Sequence, residues 1–171
     1  MCERLKGVLR MNENIVDGGD RQTFDTGAVR EPSTGKGRCD LLPFSVICDL
    51  DDLPNKGFYD SLIEFMDTPC ESNLRGVANE LIYIRGTQIE DQLLKLAVHF
   101  EKGAAKYGDN NWQKGIPVSR YVDSAVRHYL KSRRGDTDED HASACLWNLL
   151  CGVWTIRYRP EMLDLKGGNE R

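Results

Sequence analysis

The sequence lacks a long hydrophobic run. Hydrophobic residues make up 40% of the 171-residue chain, but nowhere do they form the uninterrupted stretch of about 18 that a membrane-spanning helix needs. The opening residues, MCERLK, contain no apolar segment of signal-peptide length. The sequence therefore predicts a protein of the cytoplasm with no membrane partner.

The sequence also lacks any Cys-x-x-Cys pair, although it has six cysteines. This absence argues against a zinc ribbon and a thioredoxin-like redox motif. A chain of this length does not need disulfides to stabilise its core, so we expect a reducing environment. Cys145 and Cys151 lie in an apolar helical pattern, and we expect them to act as small buried hydrophobic residues.

There is no excess of positive charge. The chain has 23 basic and 27 acidic residues, which gives a net charge of −4. This balance argues against a nucleic acid polymer as a partner. It allows a small anionic ligand only where basic residues gather. Lys36 and Arg38 do so in a loop rich in glycine, which is either a flexible linker or a loop that wraps a phosphate. The segment Gly35-Lys-Gly37 does not have the spacing of a P-loop.

Apolar spacing predicts a mainly α, helix-bundle fold with an N-terminal loop arm and a short helical insertion. We expect an arm at 1–25, one helical domain at 26–156 and a surface tail at 157–171. The insertion, at 49–85, is predicted to contain a helix from 58 to 66 and another that Ser72 caps. Three further helices should form the core: Thr87–Tyr107, Pro117–Arg134 and Asp138–Ile156, the last of them central and mostly buried.

The acidic segment before the last predicted helix has two candidate roles. Its alternating acids are similar to a calcium loop, but His141 stands where the required Gly belongs and Trp147 where the bidentate Glu belongs. Thr137 and Asp140 instead have the spacing of a capping box. We therefore expect a helix cap here and no calcium site.

Several polar residues fall on predicted apolar faces. Asn148 lies in the middle of the last helix, two turns from His141 on the same face, and it needs a hydrogen-bond partner if buried. His128 is predicted to point inward from the preceding helix. Glu101 needs a metal ion or a basic partner. Either a structural polar network or the wall of a ligand site explains these residues.

Four segments form a specific combination: GKGRCDLLP at 35–43, residues 99–115, SAVRH at 124–128, and residues 135–148. Together they resemble the phage and bacterial dATP/dGTP diphosphohydrolase N-terminal-domain family. The resemblance covers roughly residues 26–154. It implies cleavage of a purine deoxynucleoside triphosphate to the monophosphate and pyrophosphate, in the bacterial host cell if a phage encodes the chain. It also suggests kinship to the MazG-like all-α pyrophosphatases, which use Mg²⁺.

The chain departs from the MazG-like pattern of paired acids. Those enzymes carry Glu-x-x-Glu on one helix and Glu-x-x-Asp on another, whereas Ala104 and Ala105 follow Glu101 here. The last helix offers His141, Ala144 and Asn148 where acids are wanted. A Mg²⁺ site needs several oxygen ligands, so Glu139 or Asp140 would have to join Glu101.

The working hypothesis is a metal-dependent nucleoside triphosphate pyrophosphohydrolase. Mg²⁺ or Mn²⁺ would be held by Glu101, Glu139 and Asp140. The predicted catalytic residues are Glu101, Lys106, His128, His141 and Asn148. The predicted substrate-binding residues are Lys36, Arg38, Asn111, Trp112 and Arg127.

Two other readings remain. The same pocket binds a nucleotide or nucleotide signal without cutting it, or the polar residues form a network in a structural module. A homo-oligomer, a dimer or higher, is expected because a three-helix core leaves apolar faces on the helices of the insertion.

Overall fold

A computed structural model describes residues 20–32, 55–85 and 89–167. These residues form a short antiparallel hairpin and five α-helices, which confirms the mainly α prediction. The elements are β1 Gln22–Thr23, β2 Val29–Arg30, α1 Lys56–Asp67, α2 Glu71–Arg85, α3 Ile89–Tyr107, α4 Val118–Arg134 and α5 His141–Tyr158. Two 3₁₀ helices follow α3 and α5, at Asn111–Lys114 and Pro160–Met162. The described helices include none that is both long and apolar enough to cross a membrane.

The helix ends follow local chemistry. Gly108 and Gly135 both have φ of 88°, and the N–H of each returns to the last turn of its helix, as expected for a C-terminal glycine. The start of α5 corrects the capping prediction. Asp140 is the N-cap, and its Oδ1 accepts from the Ser143 N–H at 3.0 Å. The helix therefore begins at His141 rather than Asp138, because Thr137 is not its cap. Ser72 is not a cap either, since α2 already begins at Glu71.

The last helix, α5, is the centre of the packing, as predicted. It packs against α4, α2 and α3, and α1 packs against α2. Gly152 of α5 faces α2, since an added Cβ would lie 2.8 Å from Leu74 Cδ2. A larger residue at 152 would force these two helices apart. Cys145 and Cys151 are buried, as expected.

The core is larger than three helices. Phe58 and Phe65 of α1 and Leu74 and Val77 of α2 are completely buried in the same hydrophobic cluster as α4 and α5. The Phe58 ring stacks on Tyr129 with 3.8 Å between centroids. This packing corrects the expected three-helix core, because α1 and α2 are part of it. The domain limits and the oligomeric state stay predictions.

Residues 22–30 form a hairpin instead of a loop. Gln22 pairs with Arg30 and Thr23 with Val29, and Gly27 allows the tight turn with φ of 79°. Two contacts attach the hairpin to the segment after α3. Thr26 Oγ1 donates to the Gly115 carbonyl at 2.5 Å. The side chain of Asn111 accepts from the Val29 N–H at 3.1 Å and donates to the Val29 carbonyl at 2.8 Å. Apolar spacing also predicts a helix at 44–50, and this segment, like Lys36 and Arg38, lies outside the described residues.

Candidate functional site

A cavity of about 850 Å³ lies between the hairpin and helices α3, α4 and α5. Its volume is within the range of small-molecule sites. One part of its wall is aromatic, with Phe100, Trp112 and Trp147. Another part is polar and contains both histidine and carboxylate side chains together with the guanidinium groups of α4. The cavity therefore offers a ligand both aromatic rings and charged groups.

Arg30, at the end of β2, is the basic residue of the hairpin that lines this cavity. Its Nη2 donates to Asn148 Oδ1 at 2.5 Å, and its guanidinium lies 5.3 Å from the centre of the Tyr121 ring. Its Nη1 is buried and has no hydrogen-bond partner. Burial lowers the pKa of Arg30. Because a buried cation without an anion is costly, this guanidinium favours an anionic ligand.

Two histidines and a glutamate meet where α4 approaches the start of α5. The Nδ1 atoms of His128 and His141 are 3.0 Å apart. Glu139 Oε1 lies 3.2 Å from each of those nitrogens. His141 is buried, whereas His128 and Glu139 are half-buried and line the cavity. Three atoms that can each present a lone pair therefore converge beside the cavity.

Asp138 orients His141 from the other side of its ring. Asp138 Oδ1 lies 2.7 Å from His141 Nε2. An ionised carboxylate only accepts, so Nε2 carries the hydrogen and Nδ1 of the neutral ring keeps its lone pair. The same hydrogen bond lowers the pKa of Asp138 to about 2.

Burial shifts the pKa of two residues of this trio. It lowers the pKa of His128 well below its usual value, and the neighbouring His141 adds to the effect. It raises the pKa of Glu139. For both residues burial disfavours the charged form, so the ring of His128 is neutral at pH 7.

Most of the predicted site residues surround the cavity. Glu101, Asn111, Trp112, Arg127, His128, Glu139 and Asn148 line it. His141 contacts His128 directly behind the wall. Arg127 makes an ion pair with Asp123 one turn earlier on α4. The structure thus brings together residues from three of the four segments that carry the resemblance, and the fourth, at 35–43, lies outside the described residues.

Two predicted residues have other contacts. Lys106 makes an ion pair with Glu31, next to Arg30 in the chain, and it is not among the residues that line the cavity. Its pKa is raised; burial opposes this shift, and the hydrogen bond to Glu31 causes it. Asp140 caps α5 with both carboxylate oxygens, since Ser143 Oγ also donates to it at 2.7 Å. Lys106 therefore supports the hairpin, and Asp140 supports the helix.

The predicted metal ligands do not form one group. Among the described residues, two sets of His, Asp and Glu lie close enough to share an ion: His128 with Glu139 and His141, and Asp136 with Asp138 and His141. Neither contains Glu101 or Asp140, and Glu101 is exposed. The second set is engaged elsewhere, because Arg134 holds Asp136 and Lys131 contacts Asp138. The first set replaces the predicted one as the candidate metal site.

This donor set does not fit Mg²⁺. Mg²⁺ prefers an octahedral shell of oxygen ligands at about 2.1 Å. The trio offers two imidazole nitrogens and one carboxylate oxygen, a set that suits Zn²⁺ and other first-row transition metals. The cofactor expected from the sequence, Mg²⁺ or Mn²⁺, stays a prediction.

Sequence reasoning missed two residues of the site. Arg30 was not among the predicted site residues, because its position depends on a contact with Asn148, 118 residues away in the chain. Asp138 was assigned to the helix. Asp138 stands three residues before His141, and this spacing could have predicted their hydrogen bond, because such a pair can bond at the start of a helix.

These features define a class: a mainly α protein with a cavity of small-molecule size whose polar wall combines imidazole, carboxylate and guanidinium groups. Residues 80–164 match the family model described as dATP/dGTP diphosphohydrolase, N-terminal. This segment contains α3, α4 and α5, and the match agrees with the resemblance found in the sequence. No curated protein and no solved structure matches the chain significantly.

Proposed function

We propose that the chain is a nucleoside triphosphate pyrophosphohydrolase that acts on purine deoxynucleoside triphosphates. The observation that carries this proposal is the cavity itself: the family match covers α3, α4 and α5, and these helices, with the hairpin, supply its aromatic and polar walls. Water attacks the α-phosphorus, and the bond to the oxygen that bridges the α- and β-phosphates breaks. The products are the monophosphate and pyrophosphate.

The walls suggest how the substrate lies. The base packs against the aromatic part of the cavity, where Phe100 contacts both Trp112 and Trp147 edge-on. The triphosphate extends toward Arg30 and Arg127, whose charges stabilise the phosphate oxygens as negative charge develops. Arg30 has the greater effect, because Arg127 already shares its charge with Asp123.

The hydrolytic water lies at the polar wall, near His128 and Glu139. Burial raises the pKa of Glu139, which makes its carboxylate the better proton acceptor near pH 7. Burial also keeps His128 neutral, so its ring positions the water or a metal and does not take the proton. A divalent metal, when bound, would lower the pKa of the water and offset phosphate charge. Asn148 holds Arg30 in place, since its Oδ1 accepts from Nη2 while its Nδ2 donates to the Ala144 carbonyl at 2.8 Å.

A second candidate is a protein that binds the nucleotide without cutting it. The observation that favours it is the engagement of carboxylates near the cavity. Asp123 pairs with Arg127, Glu31 with Lys106, and Asp140 caps α5. This engagement leaves Glu101, Asp109 and Glu139 as the lining carboxylates with the greatest freedom to act in chemistry.

Product analysis separates the two candidates. Purified protein is incubated with each of the four deoxynucleoside triphosphates and with Mg²⁺, Mn²⁺, Co²⁺ or Zn²⁺, and the products are separated by ion-exchange chromatography. We expect dGTP to give dGMP, or dATP to give dAMP, together with an equimolar amount of pyrophosphate. Diphosphate with inorganic phosphate would contradict the proposed bond cleavage. Saturable binding without any product would favour the second candidate.

Arg30→Met tests the position of the triphosphate, with Arg157→Met as the matched control. Arg157 pairs with Glu71 on the outer surface, away from the cavity residues. We expect Arg30→Met to raise KM or Kd for the triphosphate about tenfold, the loss expected for one charge-assisted hydrogen bond. The control should retain the wild-type value. Equal effects of the two variants would contradict a triphosphate near Arg30.

A further inference from the structure

The metal that best suits this site is not the one that the family resemblance implied. We propose that His128, Glu139 and His141 form a three-ligand site for a divalent transition metal, with Asp138 as the residue that positions His141. For a role in catalysis, this inference rests on the proposed function. For metal binding, it rests on the geometry of the trio alone.

The first argument is the separation of the ligand atoms. The three distances between His128 Nδ1, His141 Nδ1 and Glu139 Oε1 are 3.0, 3.2 and 3.2 Å. Ligands bonded to one ion at about 2.0–2.2 Å are separated by about 3.0 Å at octahedral angles and about 3.4 Å at tetrahedral angles. The observed triangle falls within that range, so one ion can contact all three atoms without rearrangement of the helices.

The second argument is the direction of the lone pairs. Asp138 accepts from Nε2 of His141 and thereby leaves Nδ1 as the coordinating nitrogen. A carboxylate that holds the outer nitrogen of a ligating histidine is the usual arrangement around metals. Glu139 contributes an acceptor that faces the same point. Three acceptors that point at one another repel unless a cation or a shared proton lies between them.

The third argument is access. Glu139 and His128 line the cavity, while His141 is buried behind them. An ion on the trio therefore has protein on one side and the cavity on the other. Three protein ligands with an open position toward solvent are typical of catalytic rather than structural metal sites. The open position is where a water or a phosphate oxygen would bind.

The alternative is a closed hydrogen-bonded cluster, in which His128 Nδ1–H donates to His141 or Glu139. This cluster needs no metal and predicts no defined stoichiometry of metal binding. The experiment must therefore measure binding directly, in the absence of any nucleotide.

The full chain is stripped with a chelator and titrated with Mn²⁺, Co²⁺, Zn²⁺ and Mg²⁺, with isothermal calorimetry and melting temperature as readouts. We expect one transition-metal ion per chain, bound at least tenfold more tightly than Mg²⁺. Mg²⁺ binding that equals or exceeds Mn²⁺ and Zn²⁺ binding would overturn the proposal. So would the absence of stoichiometric binding.

Ligand variants identify the site. His128→Gln and Glu139→Gln should each weaken Zn²⁺ binding at least about a hundredfold, beyond the usual effect of a supporting residue. Asp138→Asn should weaken it about tenfold and keep the stoichiometry, as expected for a positioning residue. The matched control is His99→Gln, a histidine of the same cavity outside the trio. The proposal fails if His128→Gln binds like wild type, or if the control loses binding instead.

One measurement does not depend on the folding of any variant. The wild-type chain with one equivalent of Cu²⁺ should give an electron paramagnetic resonance spectrum with coupling to two imidazole nitrogens. Coupling to one nitrogen or none would overturn the proposal. The result is independent of turnover. Two-nitrogen coupling without nucleotide cleavage supports the metal site and contradicts the hydrolase. Cleavage without this coupling supports the hydrolase and contradicts the metal site.

Discussion

The α1–α2 pair and the α4–α5 pair use buried surface differently. The first pair buries apolar side chains such as Phe58, Phe65 and Leu74. The second pair buries Asp123, His141 and Asn148 as well as apolar residues. Buried polar groups cost free energy unless they are paired, so a helix pair that contains several of them carries more than packing. The candidate site therefore lies beside the helix pair whose core contains buried polar residues, and not beside the pair whose core is apolar.

Breaking the apolar pair should have the largest effect on stability. Leu74→Ala removes a completely buried side chain that contacts α5 near Gly152. We expect a loss of roughly 3 kcal/mol in the free energy of unfolding, from lost burial and the remaining cavity. Urea denaturation measures this value. Nucleotide and metal affinity of the folded fraction should be unchanged.

Leu94→Ala is the matched control for this change, because Leu94 is 68% exposed on α3. It should change stability by no more than about 0.5 kcal/mol. A larger, concentration-dependent loss at Leu94 would instead reveal that an interface between copies buries this side chain.

The attachment of the hairpin should come next in size. Asn111→Ala removes both hydrogen bonds to Val29 and leaves a backbone N–H and a carbonyl unpaired. We expect a loss of roughly 2 kcal/mol in stability, and weaker nucleotide binding because Arg30 follows Val29 directly. Gln113→Ala changes the same 3₁₀ helix and should have neither effect. Unchanged nucleotide affinity in Asn111→Ala would separate the hairpin from the site.

The fold was more predictable than the site for a physical reason. The apolar spacing of α3, α4 and α5 reports local geometry, so their existence follows from short stretches of sequence. The position of α5 at the centre also follows, since it is apolar over most of its circumference. The shared core with α1 does not follow, because the stacking of Phe58 on Tyr129 joins residues far apart in the chain.

The site shows the same limit. His128, His141 and Asn148 attracted attention as polar residues on apolar faces, and each contacts the cavity or a residue that lines it. Arg30 could not be chosen from its neighbours in a loop of several basic residues. Asp140, predicted as a metal ligand, caps α5 in the structure, and a capping carboxylate and a ligating carboxylate look alike in sequence.

Acid should lower the free energy of unfolding through His99, a histidine that lines the cavity. Burial lowers the pKa of His99 to about 4. Between pH 6.5 and 4, His99 is therefore protonated in the unfolded chain but neutral in the folded chain. His99 alone therefore lowers the free energy of unfolding by roughly 2 kcal/mol at pH 5 relative to pH 7, and the lowered pKa of His128 acts in the same direction. Urea denaturation at both values measures the difference. His99→Gln should reduce it, and an unchanged difference would contradict this assignment.

The helix cap should have the smallest effect. Asp140→Ala removes the acceptor for the Ser143 N–H and should cost about 1 kcal/mol, whereas Asp140→Asn should retain most of the stability. Melting temperatures of the two variants measure the difference. Metal affinity should be the same in Asp140→Asn as in wild type. A large loss of metal affinity there would restore Asp140 as a ligand and weaken the case for the histidine trio.

The hairpin has a consequence for the order of folding. Val29 reaches Asn111 across 82 residues, and Arg30 reaches Asn148 across 118. Contacts between residues so distant in sequence require the closure of large chain loops before they contribute free energy. Helices α4 and α5, joined by a short turn, can pair much earlier. We therefore expect a refolding chain to gain its helical signal before it gains a ligand-binding cavity, so the competent protein is the last species to form.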